Sequence, residues 1–395
     1  MKIKPSNRLE RALAQGEALA QQNRLEEANQ VLSALIKREP GNWEAHKLFR
    51  RVLSRQGDWV RLHREFERWI VGHHSGTKAE WEKSCNNLLF GHMKEGWEQY
   101  EARWRDPGLS PRVLDRIYPQ PVWKGEPFAG KTLLLRWEQG FGDAIMYVRY
   151  APLVKARGGR VILEVMEPLV DLMATCEGLD AVVSDGEPAP EFDLQISLLS
   201  LPRVFQTELD TIPARIPYLS VPARVPHRQG LDRVLAATQG LTRIGLAWAG
   251  NPKHFRDAER SIDPVLLKPL GTIPGVVWHG FQMGGLDLPF PRIIPMEALC
   301  RSSFADTAHA LSAMDLVITV DTALAHLAGA LGIPVFLLVT AFPDWRWLMG
   351  RNDSPWYPTL RLYRQPEPGN WPAVIQKVVA DLTPDGEPDP ADRLS

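Results

Sequence analysis

The spacing of apolar residues along this chain changes near residue 105. From residue 8 to about residue 104, apolar residues recur every three to four positions with charged residues between them, as on amphipathic helices. From residue 131 onward they form short runs rich in leucine, valine and isoleucine, such as residues 131–135 and 160–165. Such runs are typical of buried parallel strands. The pattern therefore predicts a helical N-terminal part followed by alternating strands and helices.

The helical part repeats with a period of 34 residues. Asn23, Gly57 and Gly91 begin three similar segments, and further apolar positions follow each of them at fixed offsets. A turn residue, a small residue and a large residue recurring every 34 positions resemble the tetratricopeptide repeat. Three units predict about six stacked helices. Two interpretations stay open, namely a concave surface that binds a peptide or protein, or a helical brace for the domain that follows.

Proline- and glycine-rich stretches divide the chain into candidate domains. The predicted division is a helical repeat array over 1–105, a connector over 106–130, a first Rossmann-like lobe over 131–222, a hinge over 223–240, a second Rossmann-like lobe over 241–383 and a disordered tail over 384–395.

The turn after the first predicted strand has the sequence QGFGD and includes Gln139, Gly140, Gly142 and Asp143. A carboxylate at the start of a helix is stabilised in its ionised form, because the positive end of the helix dipole lies there. Asp143 is thus a candidate general base for a hydroxyl within hydrogen-bond reach. The alternative is a plain helix-capping acid, which is the commoner role. The glycine spacing is not the full GxGxxG fingerprint of dinucleotide-binding turns.

Residues 315–338 predict a strand, a tight turn, a helix and a second strand. The turn contains Asp321, Thr322 and Ala323, and His326 follows about one helical turn later. Where a parallel strand leads into a helix, the free N–H groups of the first turn form a site for anions such as phosphate. The alternative is an ordinary turn with a capping aspartate.

A basic loop follows the strand predicted after Thr242. It contains Lys253, His254, Arg256 and Arg260. Arginine and lysine are the usual partners of phosphate groups, so this loop is a candidate for binding a diphosphate. The alternative is a solvated basic loop.

Aromatic residues are frequent between residues 340 and 365, where Trp345, Trp347, Trp356 and Tyr357 lie among prolines and polar residues. We interpret this stretch as a loop suited to stacking on a base or a sugar. The alternative is a small core beneath a long loop.

Composition narrows the class of function. The chain has 46 lysines and arginines against 47 aspartates and glutamates, which argues against nucleic acid as a partner. Three widely spaced cysteines without CxxC spacing favour a reducing compartment and argue against a metal site. The N-terminus lacks the apolar segment of a signal peptide, and no apolar run is long enough for a transmembrane helix. These features predict a cytoplasmic protein.

Two motifs, one in each predicted lobe, resemble the ADP-heptose:lipopolysaccharide heptosyltransferase family, which is glycosyltransferase family 9. GFGDAIMYVRYAPL resembles the first turn of that family, and VDTALAHLAGALGIPVFLL resembles its D-[TS]-x-x-x-H-x-A-x-A-L-x-x-P donor motif. WAGNPKHFRDAERSI and the segment from PDWRW to TLRLYRQ resemble the subgroup in which the transferase follows tetratricopeptide repeats. The resemblance implies the GT-B architecture, with two Rossmann-like α/β lobes joined by a hinge.

The resemblance also implies a role for each site residue. Asp143 corresponds to the base that activates the acceptor, in a turn with Gln139, Gly140 and Gly142. The implied donor-binding residues are Trp248, Asn251, Lys253, Arg260, Gln282, Asp321, Thr322, Ala323 and His326. Among these, Arg260 or Lys253 would neutralise the leaving phosphate, and Trp248 and Gln282 would line the nucleotide pocket. Ala323 stands where the family usually has glycine, and no residue is an unambiguous match to the lysine of the family's basic loop.

The sequence therefore predicts a hexosyl- or heptosyltransferase that moves a sugar from a nucleotide-diphosphate donor to an acceptor hydroxyl with inversion. We expect neither a metal nor a cofactor, because a helix dipole and cations can stabilise the leaving group and no DxD motif is present. The expected acceptor is a protein or peptide recruited by the repeats. The alternatives are a lipopolysaccharide or other glycan acceptor, and a catalytically inactive scaffold.

Overall fold

The computed structural model describes residues 5–106, 108, 118–188, 190–254, 256–284, 290 and 293–383. These residues form two compact units. One unit contains the N-terminal helices together with the segment Asp344–Gly350, and the other contains two parallel sheets with their helices. The predicted tail, 384–395, lies outside the described residues, as does most of the connector between residues 106 and 118.

The N-terminal unit is built from helices whose spacing follows the sequence repeat. They are α1 (Pro5–Gln21), α2 (Leu25–Arg38), α3 (Trp43–Gln56), α4 (Trp59–His73), α5 (Gly76–Leu89) and α6 (Met93–Tyr100). The second helix of each pair begins 34 residues after the previous one, at Leu25, Trp59 and Met93. The six helices confirm the predicted array, while its identity as a tetratricopeptide repeat stays a prediction.

The repeated turn residues have a backbone reason. Asn23, Gly57 and Gly91 have φ values of 59°, 69° and 83°, in the left-handed region that glycine and asparagine tolerate best. A second repeated position, three residues into the helix, is closely packed. At Gly96 an added Cβ would lie only 2.6 Å from the Leu88 side chain, so a small residue is required there.

The segment Asp344–Gly350 belongs to the N-terminal unit, although it lies within the stretch predicted as the second lobe. The ring of Trp345 contacts Trp97 edge to face, with centroids 5.3 Å apart. The Met349 N–H donates to the Leu89 carbonyl at 3.0 Å. Trp345 and Trp347 are 4% and 1% exposed. They are therefore core residues of this unit.

The first sheet is parallel and lies in the second unit. Its strands are β1 (Thr132–Arg136), β2 (Arg160–Val165), β3 (Ala181–Ser184) and β4 (Leu194–Ser197), in the order β3-β2-β1-β4. The accompanying helices are α7 (Phe141–Tyr147), α8 (Ala151–Lys155), α9 (Val170–Met173) and α10 (Leu201–Val204). The strand order reverses between β1 and β4, and ligands of open α/β sheets bind at the carboxyl ends of the strands at such a switch point.

The second sheet is also parallel. Its strands are β5 (Thr242–Ala247), β6 (Val276–Gly280), β7 (Ile293–Pro295), β8 (Leu316–Val320), β9 (Val335–Val339) and β10 (Leu360–Arg364), in the order β10-β9-β8-β5-β6-β7. Its helices are α11 (Arg228–Ala236), α12 (Asp257–Arg260), α13 (Glu297–Cys300), α14 (Phe304–Leu311), α15 (Ala323–Ala330) and α16 (Trp371–Leu382). The switch point of this sheet lies between β5 and β8.

The two sheets confirm the predicted fold class of a helical array followed by two Rossmann-like lobes. The interpretation of residues 340–365 as a stacking loop is wrong, because Trp356 and Tyr357 are also fully buried and β10 occupies part of this stretch. Within the predicted hinge, residues 228–236 form α11. The preceding His227 is held by Asp306, which accepts from its backbone N–H at 2.7 Å and lies 2.8 Å from its Nδ1. The exact domain boundaries stay a prediction.

Candidate active site

The first part of the candidate site is the turn from β1 into α7. Gly140 is the N-cap residue of α7, and its N–H donates to Oδ2 of Asp143 at 2.7 Å. Asp143 thus satisfies one of the free amides at the start of this helix, as the helix-capping alternative predicted. The Asp143 side chain is half-buried. Its carboxylate lies beyond the carboxyl end of β1, at the switch point of the first sheet.

The second part is the turn from β8 into α15, at the switch point of the second sheet. Thr322 is the N-cap residue of α15 with an extended backbone, and its side chain does not cap the helix. Ala323 begins the helix, and His326 lies one turn further along. The backbone amides of this first turn are the groups that the sequence predicted to bind phosphate.

These two turns meet. A Cβ placed on Gly142 would lie 2.7 Å from Cδ2 of His326 and 3.5 Å from Cα of Ala323. The rings of Phe141 and Phe304 are 4.9 Å apart beside this contact. The start of α7, which carries the candidate base, therefore lies against the start of α15, which carries the donor motif.

Arg260 is the cation of the basic loop that reaches this junction. Its Nη1 donates to the Asp321 carbonyl oxygen at 2.9 Å, and its Nε donates to Asp257 at 3.1 Å. A side chain at Gly250 would collide with the guanidinium, so that glycine leaves room for it. The structure thus places a guanidinium beside the turn that begins α15, with part of its charge balanced by Asp257.

Two other cations of the basic loop, Lys253 and Arg256, have different contacts. Lys253 and Asn251 are exposed, and the Asn251 side chain accepts from the Lys253 backbone N–H at 3.0 Å. Arg256 donates to the Phe342 carbonyl oxygen at 2.6 Å. Of the two cations predicted to neutralise the leaving phosphate, Arg260 lies at the junction and Lys253 lies on the surface.

Gln282 and Trp248 have clear structural roles. The side-chain oxygen of Gln282 accepts from the N–H groups of Trp248 and Ala249, at 3.0 and 2.9 Å, and so fixes the chain beyond β5. Trp248 is 4% exposed and belongs to the hydrophobic core of the second sheet. Both residues lie at the switch point, and their contact with a nucleotide stays a prediction.

A buried polar network behind the junction was not predicted from the sequence. Nδ1 of His326 lies 2.9 Å from the hydroxyl of Tyr357, which lies 3.4 Å from the hydroxyl of Tyr218. Arg149 donates to Tyr218 at 2.9 Å and to the carbonyl of Trp356 at 2.6 Å. Burial raises the pKa of Tyr357 well above its usual value, so its hydroxyl keeps its proton. The available signal was a single cation, Arg149, within the apolar run AIMYVRYAPLV.

Within the ranges that the structure describes, no group of three or more histidine, cysteine, aspartate and glutamate side chains is arranged to hold a metal ion. Among the same residues, no helix combines the length and the apolar composition needed to cross a membrane.

Comparison with known proteins shows which family the donor-motif segment is similar to. Residues 292–345 match the family model of glycosyltransferase family 9 (heptosyltransferase). This range contains β8, the turn at Asp321 and α15. The match confirms, over this segment, the resemblance that the motifs predicted.

Individual proteins are similar to this chain at low sequence identity. Protein FlbA of Caulobacter vibrioides is 28% identical over 327 residues, which are 75% of this chain and 53% of FlbA. The chain thus spans about half the length of this curated relative. A family 9 glycosyltransferase of Veillonella parvula is 12% identical, with a TM-score of 0.45 over 62% of this chain and 88% of that one. The heptosyltransferase WaaC of E. coli, solved with ADP, is 12% identical, with a TM-score of 0.40 over 64% of this chain and 100% of that one.

Proposed function

We propose that this protein is a glycosyltransferase that moves a sugar from a nucleotide-diphosphate donor to an acceptor hydroxyl. The observation that carries the proposal is the contact between Gly142, next to Asp143, and the first turn of α15. This contact brings a carboxylate and the start of a helix, where free amides favour anions, to one junction. The family match over the donor-motif segment supports the same reaction class.

The charges at the junction suit such a transfer. Departure of the nucleotide diphosphate places negative charge on the leaving oxygen. In this proposal the amides at the start of α15 and the Arg260 guanidinium would stabilise that charge. Asp143 would accept the proton of the acceptor hydroxyl as that oxygen attacks the anomeric carbon. Attack from the face opposite the leaving group gives inversion. In this proposal the dipole and the guanidinium serve without a metal ion.

We further propose that the acceptor is a protein or peptide held by the helical array. The support is the array itself, since stacked helical repeats present extended surfaces that commonly bind peptides. A glycan or lipopolysaccharide acceptor, with the array as a brace, is the competing outcome.

The donor is tested by thermal unfolding of the full chain with ADP-, UDP-, GDP- and CMP-sugars. A ligand at 100 times its dissociation constant should stabilise the protein by about 2.7 kcal/mol. One clear responder supports the proposal, and a well-folded protein that responds to none argues for the inactive scaffold. With the responding donor radiolabelled, label that becomes protease-sensitive in a cell extract indicates a protein acceptor, and label extracted with lipid indicates a glycolipid. Product anomer analysis by NMR tests inversion, and full activity in EDTA tests metal independence.

A further inference from the structure

Arg149 is a buried cation held by carbonyl oxygens and by the Tyr218 hydroxyl. It is 3% exposed, and its Nε and Nη1 donate to the carbonyls of Met146 and Trp356 at 2.7 and 2.6 Å. Its guanidinium lies 4.6 and 4.5 Å from the ring centroids of Tyr218 and Tyr357. No carboxylate lies within ion-pair distance of it in the described part of the chain. Burying a charge without a carboxylate partner costs folding free energy. We therefore expect this guanidinium to have a role besides packing.

The direction of the hydrogen bonds between Arg149, the two tyrosines and His326 follows from the number of protons that each group can donate. Tyr218 has one hydroxyl proton, and the Ile145 carbonyl at 2.9 Å can only accept it. The Tyr218 oxygen therefore accepts from Arg149 at 2.9 Å, and the Tyr218 hydroxyl makes a second, longer contact of 3.4 Å in which it donates to the Tyr357 oxygen. The nearer partner of the Tyr357 hydroxyl is Nδ1 of His326 at 2.9 Å. Donation along this path leaves Nδ1 as the acceptor and places the imidazole proton on Nε2.

The other edge of the imidazole faces the candidate site. His326 is 4% exposed, and a Cβ on Gly142 would lie 2.7 Å from its Cδ2 and 3.4 Å from its Nε2. Its Nε2 therefore points toward the turn that carries Asp143. The Arg149 charge acts on the same phenol that His326 contacts. An Nδ1 that accepts the Tyr357 proton carries no proton of its own, so the imidazole is neutral with its single proton on Nε2.

We propose that Tyr357 and Arg149 are positioning residues that hold His326 as a neutral imidazole with its proton on Nε2. This arrangement presents a fixed hydrogen-bond donor to the junction between α7 and α15. The last step rests on the proposed function: the Nε2–H group of His326 would donate a hydrogen bond to the diphosphate oxygens of the sugar nucleotide. Neither Tyr357 nor Arg149 touches the substrate in this scheme.

The tautomer is read directly from the full-length protein labelled with ¹⁵N-histidine, without any substrate. Long-range ¹H–¹⁵N correlation distinguishes protonated from unprotonated ring nitrogens, and a His326→Gln spectrum identifies the signals of His326. We expect an unprotonated Nδ1 and a protonated Nε2. Tyr357→Phe keeps the ring and removes the hydroxyl, so the His326 signals should move toward a mixture of tautomers. We expect the kcat of Tyr357→Phe to fall about 10- to 100-fold, as it does when the hydrogen-bond partner that orients a metal-bound histidine is removed.

Tyr150→Phe is the matched control. It removes another fully buried hydroxyl, which lies 2.8 Å from Oγ1 of Thr207, and it should leave both the His326 signals and kcat unchanged. A proton on Nδ1 of His326 in the unsubstituted protein overturns the inference, even if every variant fails to fold. Unchanged His326 signals in Tyr357→Phe also overturn it. The predicted tautomer in a protein that transfers no sugar would support the network and refute the proposed function instead.

Discussion

Replacing Gly142 with alanine tests the junction between the two lobes. Alanine is favoured over glycine by up to about 1 kcal/mol in a helix. Gly142 lies in the first turn of α7, so its replacement by alanine would stabilise the protein if there were room for the methyl group. Here the new methyl would lie 2.7 Å from Cδ2 of His326, against about 3.5–4.0 Å for a normal carbon contact. The ring cannot easily move away, because its Nδ1 is held 2.9 Å from the Tyr357 hydroxyl.

Overpacking of this kind costs about 1–3 kcal/mol, which exceeds the gain in helix propensity. We therefore expect Gly142→Ala to lower the unfolding temperature by about 2–4 °C for each kcal/mol of net loss, measured by calorimetry. It should also weaken the response to the donor. Gly72→Ala, in the last turn of α4 where an added Cβ would have open space around it, is the control and should be neutral or stabilising. An unfolding temperature that rises equally in both variants would show that the two turns do not touch.

Three further predictions concern charge. Asp143→Asn keeps a helix-capping side chain but cannot accept a proton, so transfer should fall by about 10²- to 10⁴-fold while the donor-induced thermal shift is retained; retained activity would remove Asp143 as the base. Arg260→Ala should weaken donor binding in calorimetric titration at least about tenfold and Lys253→Ala much less, and the reverse order would assign the phosphate contact to Lys253. Burial lowers the pKa of His279 from 6.5 to about 4, so the unfolded chain binds a proton between these pH values and the folded protein does not. Stability should therefore fall as the pH drops from 6.5 to 4, by up to about 3 kcal/mol, and urea titrations of His279→Phe should show a shallower fall; an identical slope would contradict this.

Local signals in the sequence were sufficient for strands such as β2. It spans Arg160–Val165, the same run that the apolar pattern predicted, because most of this segment is leucine, valine and isoleucine. β10 was missed because Arg361 and Arg364 make the segment LRLYR look polar. Its backbone is satisfied by parallel pairing with β9, a contact that spacing along the chain does not reveal.

The candidate site also contains residues that could be predicted from the sequence and residues that could not. Asp143 and the turn before α15 could be predicted, because each motif is contiguous and its chemistry follows from a strand that leads into a helix. The network behind His326 could not be predicted, because Arg149, Tyr218 and Tyr357 come from distant parts of the chain. Only the folded structure shows that the two phenols share one guanidinium.

The segment Asp344–Gly350 has a consequence for synthesis on the ribosome. The helical unit is discontinuous in sequence, since this segment is made about 240 residues after α6 ends at Tyr100. At about 5–20 residues per second, the two parts are separated by roughly 12–50 seconds of translation. During that interval the faces of Trp97 and Tyr100 that Trp345 later covers are open. The helical array is thus synthesised before both sheets but is completed only after β9 has been made.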